Sequence, residues 1–207
     1  MPALNTAAAF SLTALTLLLI PGQVVMFVSA RSIEKGRKAG IISALGVAAG
    51  DLCHVLIAAL GLGTVLAAAP TALAGIQYAG AAFLLYLGLR TLFQKEERTK
   101  TEGGISTRGR RAFTQGFFVS LLNANTVLFF VSFLPQFLDP SSGGVAGQIM
   151  ILGTLFVLIG ICTNILYIFL ASAASNLLSE NSGFLWARKY LSGVVFLALG
   201  LATALRA

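Results

Sequence analysis

Charge is scarce in this chain of 207 residues: Asp, Glu, Lys and Arg together make up 10% of it, where a soluble domain carries about a quarter. With 57% hydrophobic residues and a mean hydropathy of +0.89, a water-soluble globular domain is excluded. Histidine occurs once and cysteine twice. That leaves no His-rich catalytic or metal cluster, and with both cysteines inside apolar stretches it leaves neither a secreted disulfide framework nor a zinc ribbon. The first 30 residues hold no Lys or Arg, so the opening stretch reads as an uncleaved span and not as a secretory signal with a basic start. The 22 glycines follow no G-X-Y period and fit close helix packing in lipid.

About 20 apolar residues are needed to cross a hydrocarbon core. Six stretches satisfy this, approximately residues 4–30, 40–68, 71–93, 112–138, 146–175 and 187–206. The fold class expected is an all-α integral membrane protein with six transmembrane helices. The net charge of +7 takes its meaning from position. Arg31, Lys35, Arg37 and Lys38 follow the first stretch; Arg90, Lys95, Arg98, Lys100, Arg108, Arg110 and Arg111 surround the third connection; Arg188 and Lys189 precede the sixth stretch. Only Arg206 falls elsewhere. Cytoplasmic connections are enriched in Lys and Arg, so both termini are expected outside the cytoplasm. Gln94 to Arg111 is polar, mixed in charge and without apolar periodicity, and reads as a linker. The expected organisation is one transmembrane domain: a three-helix unit over 1–94, a cytoplasmic linker over 95–111, and a second three-helix unit over 112–207. The basic cluster reads first as an orientation signal with headgroup contact, and second as a dedicated lipid or regulator site.

The halves resemble one another. Gly80-Ala-Ala-Phe83-Leu-Leu-Tyr-Leu-Gly88 in the third stretch matches Gly193-Val-Val-Phe196-Leu-Ala-Leu-Gly200 in the sixth, apart from one residue of slip. At the same offset of 113, Asp51-x-x-His54 lies over Asn164-x-x-Tyr167, and at a shorter offset Pro21-Gly22-Gln23 aligns more weakly with Asn123-Ala124-Asn125. Three helices per unit invert the second unit relative to the first. Inverted repeats place substrate near the midplane, at interrupted helices between the units; the other reading is chance similarity between Leu- and Gly-rich helices.

Asp51 is the only acidic residue within the six stretches, and His54 is the chain's one histidine. Intramembrane ionisable residues usually face a bundle interior or an aqueous cavity and mark a pathway. Asp51 and His54 share a helix face at i,i+3, and a carboxyl there suits the exchange of a proton for a cationic substrate group. A buried Asp-His hydrogen bond is the purely structural alternative. Counted from the nearest basic residue, Pro21, Asp51 and Asn123 lie 10, 13 and 12 residues in, roughly 15 to 20 Å at the helical rise. Pro21-Gly22 breaks its helix, because proline removes a hydrogen bond and glycine tolerates the resulting conformation. Freed backbone groups there, with the amides of Gln23, Asn123, Asn125 and Asn164 and the hydroxyl of Tyr167, make up the candidate substrate site. Gly46 and Gly50, and likewise Gly80 and Gly193, read as helix-packing positions.

With these residues in place, the chain resembles the lysine-exporter (LysE/RhtB) family of bacterial inner-membrane amino-acid exporters. The likeness runs over nearly the whole length. It is carried by Pro21-Gly22, the Lys35-Gly36-Arg37-Lys38-Ala39-Gly40 turn, Gly46-x3-Gly50-Asp51, Tyr86-Leu87-Gly88 and Phe133-Leu134-Pro135-Gln136-Phe137. The resemblance implies a multi-pass inner-membrane protein that exports amino acids or related metabolites by proton antiport with alternating access. Its partners would be a small-molecule substrate, protons and the lipid bilayer, with no nucleic acid, no cofactor and no resident metal; self-association into a homo-oligomer is compatible with it. Family members commonly carry Pro-Gly-Pro and Asn-Pro-Lys where this chain has Pro21-Gly22-Gln23 and Asn123-Ala124-Asn125. Losing that lysine removes a buried cation that could balance Asp51 or hold a substrate carboxylate.

Three other functions compete. A membrane thiol-redox carrier would use Cys53 and Cys162, which read more simply as small apolar packing residues. A metal-cation exporter would use Asp51 and His54, too few ligands for a dedicated site. An enzyme would need paired carboxylates or a nucleophile-base set, which the chain does not offer at membrane depth.

Overall fold

The computed structural model describes residues 4–61, 70–93, 105–139, 144–177, 194–199, 201–202 and 204–205, with backbone alone at 70–77, 80, 90–91, 105–108, 132 and 176–177. Helices dominate, and no strand occurs among the described residues. In chain order they are α1 (Leu4–Leu18), α2 (Gln23–Lys35), α3 (Arg37–Ala59), α4 (Pro70–Phe93), α5 (Ile105–Leu121), α6 (Ala124–Leu128) and α7 (Val145–Leu177). A π-helical turn, Phe129–Phe133, and a 3₁₀ turn, Leu134–Phe137, continue α6, and residues 194–199 form a further helical segment.

Among the described residues, α3 and α7 are each long and apolar enough to cross a membrane. Two bent pairs raise the number of candidate spans to four: α1 with α2, bent by 57°, and Gly109–Leu121 with Ala124–Phe137, bent by 48°. α7 has 33 residues, about 50 Å of helix, which exceeds a hydrocarbon core of about 30 Å. The pattern of burial is the one expected in lipid. Leu52, Leu56, Leu158, Leu166 and Leu170 point outward while Ser43, Asp51, His54, Ser120, Asn123, Gln148, Thr163 and Asn164 are buried.

Polar contacts and small residues hold helices together in lipid, since the tails are as apolar as leucine. The α3–α5 crossing shows how. A Cβ at Gly46 would stand 2.0 Å from the Phe113 carbonyl oxygen, and one at Gly116 would stand 2.0 Å from that of Ser43. Only glycine lets the two backbones meet at that range. Gly88 makes a similar close approach to Leu197 in the last helical segment. The surroundings of Gly80, and Gly193 itself, lie outside the described residues, as do Lys95, Arg98, Lys100, Arg188 and Lys189.

Two features depart from the sequence reading. α5 starts at Ile105, so the last seven residues of the anticipated linker are helical, arginine being a good helix former. Arg31, counted above as an end-of-helix charge, is 3% exposed. Its guanidinium donates to Glu34 at 2.9 Å and to Gln115 at 2.7 Å, and it lies over the rings of Phe27 and Phe196. A planar fork serves two acceptors and two ring faces at once. Phe27 and Phe196 belong to an apolar cluster with Val28, Leu84, Leu87 and Ile168. A second, more aromatic cluster joins Phe10, Phe129, Phe130 and Phe156 with Leu134 and Leu152. The connection into α7 is fixed by buried Gln148, which accepts from the Asp139 N–H at 2.9 Å and donates to the Asp139 carbonyl at 2.8 Å.

Candidate functional site

The break between α1 and α2 spans residues 19–22. α1 ends in a tightened turn, with the Ile20 N–H donating to the Leu17 carbonyl, and Pro21 cannot donate to continue it. The Tyr167 hydroxyl, reaching across from α7, donates to the Leu19 carbonyl at 2.6 Å, which satisfies an acceptor that the break leaves without an intrahelical partner. α2 restarts with Gly22 as its N-cap and no side-chain cap. A helix N-terminus carries partial positive charge and N–H groups that lack intrahelical acceptors.

The second break falls at Leu122 and Asn123. Here the N-cap is filled: Asn123 Oδ1 accepts from the Asn125 N–H at 3.1 Å while its Nδ2 donates to Thr126 Oγ1 at 3.0 Å. Both bends therefore occur at positions that the internal alignment pairs.

Asp51 is buried on α3, and the Ser120 hydroxyl of α5 donates to its Oδ1 at 2.5 Å. Gly50 makes this reach available: a Cβ there would stand 2.8 Å from Ser120 Cβ and 2.8 Å from the Phe117 carbonyl oxygen. His54, one turn further along, donates from Nε2 to the Ser120 carbonyl at 3.1 Å and stacks on Phe130. Asp51 and His54 thus both bond to Ser120 and not to each other. The direct Asp-His bond considered from the sequence is replaced by a serine bridge, because α5 packs closely enough to supply one.

A cavity of about 480 Å³ gathers most of the anticipated residues. Gly22, Gln23, Asp51, Asn123, Asn125 and Asn164 all line it. Pro21, His54 and Tyr167 do not; Pro21 makes the break, Tyr167 holds it, and His54 stands behind Asp51. Sequence reasoning missed Thr126 and Thr163, which add hydroxyls to the lining, and the wall of Leu17, Leu18, Phe129, Phe133 and Phe156. It also missed Gly160, where a Cβ would meet no atom within 4 Å and the cavity has room. A hydroxyl within a turn of a helix break was the available signal for Thr126 and Ser120; nothing in the pattern of α7 singled out Gly160.

Chemically, the lining offers one carboxyl, four side-chain amides and two hydroxyls beside the start of α2, inside an apolar enclosure. Asp51 is its only ionisable lining residue among those described. Cys53 is half-buried and Cys162 exposed; both are free and neither borders the cavity.

Known proteins share this chain's sequence. No solved structure matches it. It is 28% identical over 211 residues to the uncharacterized membrane protein YrhP of Bacillus subtilis strain 168, covering 98% of this chain and all of that protein. It is 34% identical over 128 residues to the uncharacterized membrane protein PA4757 of Pseudomonas aeruginosa, covering 59% of each. The leucine efflux protein of Salmonella typhimurium strain LT2 is 30% identical over 159 residues, with 72% of this chain and 71% of that protein covered. The sequence profile of the LysE type translocators matches residues 15–206, so that both breaks, the buried carboxyl and the cavity they enclose all lie inside the matched region, and the chain belongs to the LysE type translocator family.

Proposed function

We propose that the chain exports small zwitterionic amino acids with apolar side chains across the bacterial inner membrane, in exchange for protons and by alternating access. The observation that carries this reading is the convergence of Asp51, Gln23, Asn123, Asn125 and Asn164 on one cavity between two helix breaks. The substrate ammonium pairs with ionised Asp51. Its carboxylate lies at the start of α2, where the helix dipole favours an anion. That arrangement supplies by backbone what the lysine of the family's Asn-Pro-Lys would supply by charge. The side chain lies against Leu17, Phe129, Phe133 and Phe156. A volume of about 480 Å³ is in the range of small-molecule sites, and leucine efflux is the named activity of one relative.

Proton and ammonium compete for Asp51, so a proton arriving from outside displaces the substrate. Coupling arises only if each ligand favours one of two conformations. The six-span arrangement, with an inverted repeat over 1–94 and 112–207, a linker over 95–111 and both termini outside, is supported by the paired positions of the two bends and by Asp51 and Asn164 meeting in one cavity. The basic end is closed by Arg31 with Gln115, Ser32 with the Ile168 carbonyl, and Arg37 with Ser172.

The test is uptake of labelled amino acids into inside-out vesicles, with and without an imposed pH gradient, for wild type and Asp51→Asn. Gradient-driven uptake of leucine-like substrates that disappears in the variant is the expected result. A variant that accumulates substrate against the gradient as wild type does would overturn the role of Asp51. A folded wild type that moves no amino acid would overturn the substrate class.

A further inference from the structure

A second cavity, also about 480 Å³, opens between α4 and α5 at the basic end of the bundle, away from the substrate site. Arg110 and Arg111 line one part of it, and Phe83, Tyr86, Leu87 and Phe118 line the rest. The Phe83 and Phe118 rings pack 5.9 Å apart, and Leu87 is fully buried beneath. Tyr86 and Phe118 are 52% and 40% exposed, which opens the groove to the outside of the bundle. An apolar floor with cations at one end has the chemistry of an amphiphile with an anionic head.

Charge balance points the same way. Arg31 and Arg111 both lie close enough to Lys35 to act on it electrostatically, and Arg110 adds a fourth cation. Glu34 is the carboxylate paired at this end among the described residues, 2.9 Å from Arg31 and 3.4 Å from Lys35. Arginines lining a groove at the edge of a low-dielectric region favour an anion there. Tyrosine at the same level belongs to the membrane interface, where its ring is half in lipid and half in water.

We propose that the groove between α4 and α5 is a binding site for an anionic phospholipid, its phosphate between Arg110 and Arg111 and an acyl chain over Phe83, Leu87 and Phe118. A soluble phosphate would use the arginines alone and leave the aromatic floor exposed, so the floor favours the lipid. Gln115, which accepts from buried Arg31, also borders the groove, and the bound lipid therefore packs beside the contacts that close this end.

The purified full-length protein is compared by native mass spectrometry in mixed micelles of phosphatidylglycerol and phosphatidylcholine. The wild type retains phosphatidylglycerol preferentially. Arg110→Gln lowers that preference about fivefold, and Arg110→Gln with Arg111→Gln lowers it about twenty-fivefold, on the basis of one interfacial cation each. Arg110 is exposed, so the single variant decides the matter even if the double variant does not fold. Lys38→Gln, at an exposed basic residue of the same end outside the groove, leaves the preference unchanged. Equal retention of the two lipids by the wild type, or an equal loss in Lys38→Gln, overturns the proposal. Displacement of phosphatidylglycerol by millimolar inorganic phosphate or glycerol 3-phosphate assigns the site to a soluble phosphate and overturns the lipid.

Discussion

Gly160 is the position at which the substrate cavity can be filled without disturbing the fold. It lies in the middle of α7 and lines the cavity, and an added Cβ meets nothing within 4 Å. Replacing a mid-helix glycine by alanine gains roughly 0.5 to 1 kcal/mol from backbone entropy alone, so Gly160→Ala is expected to melt at or slightly above the wild-type temperature. Its single methyl removes space worth about 0.8 kcal/mol to a substrate that used it, a change of about fourfold in apparent affinity. Gly160→Phe is a different matter. An aromatic ring covers some 150 to 250 Å² in a cavity of about 480 Å³, and forcing one group into occupied space costs about 1 to 3 kcal/mol or more. Uptake into inside-out vesicles should then fall by about fivefold to more than a hundredfold, while the melting temperature in detergent stays near that of the wild type. A Gly160→Phe protein that is folded and transports at the wild-type rate would show that substrate does not use this cavity. Unfolding of Gly160→Ala would show that the open space at α7 is not there.

Two further expectations concern the scaffold. Gly46→Ala places a methyl 2.0 Å from the Phe113 carbonyl oxygen, and overpacking on that scale should lower the melting temperature by about 2 to 12 °C, whereas Gly147→Ala, with nothing within 4 Å, should not. Arg31→Gln removes the 2.9 Å partner of the largely buried Glu34 and leaves it Lys35 at 3.4 Å, a loss of about 1.5 to 3 kcal/mol; Arg31→Lys should recover only part of the lost melting temperature, since an ammonium cannot fork between Glu34 and Gln115.

Much of this site was legible because lipid makes polar residues conspicuous. In an apolar chain Asp51, Asn123 and Asn164 gain by being buried together, and the similar depth of Asp51 and Asn123 from the basic residues already pointed to one level. Pro21 announced the first break by its missing N–H. The second break was harder to see, because Leu122-Asn123 carries no proline and its bend rests on the Asn123 side chain capping α6. The π turn at Phe129–Phe133 left no trace in the apolar pattern, since a run of phenylalanine and valine reads the same at any helical pitch. Arg31 was misplaced for a physical reason as well: positive charge at a helix end usually lies in water, and only the rings of Phe27 and Phe196, brought from distant parts of the chain, make burial of this one affordable. The helical part of the linker, from Ile105 on, left no mark in the sequence because arginine serves a helix as readily as a loop.

The α3–α5 crossing constrains how such a protein could move. Where Gly46 faces a carbonyl of α5 and Gly116 faces a carbonyl of α3, a small slide of either helix would drive a neighbouring Cβ into the opposite backbone. Asp51 and Ser120 are therefore mounted on one fixed post, although they come from opposite halves of the sequence. Two shells parting along this seam would have to undo its tightest contact. The compliant points lie elsewhere, at residues 19–22 and at Leu122-Asn123, where helical hydrogen bonding is already interrupted. In the exchange proposed above, alternating exposure would then come from two limbs, α1 on one side and the α6 to Phe137 segment on the other, swinging against a carboxyl that stays where it is.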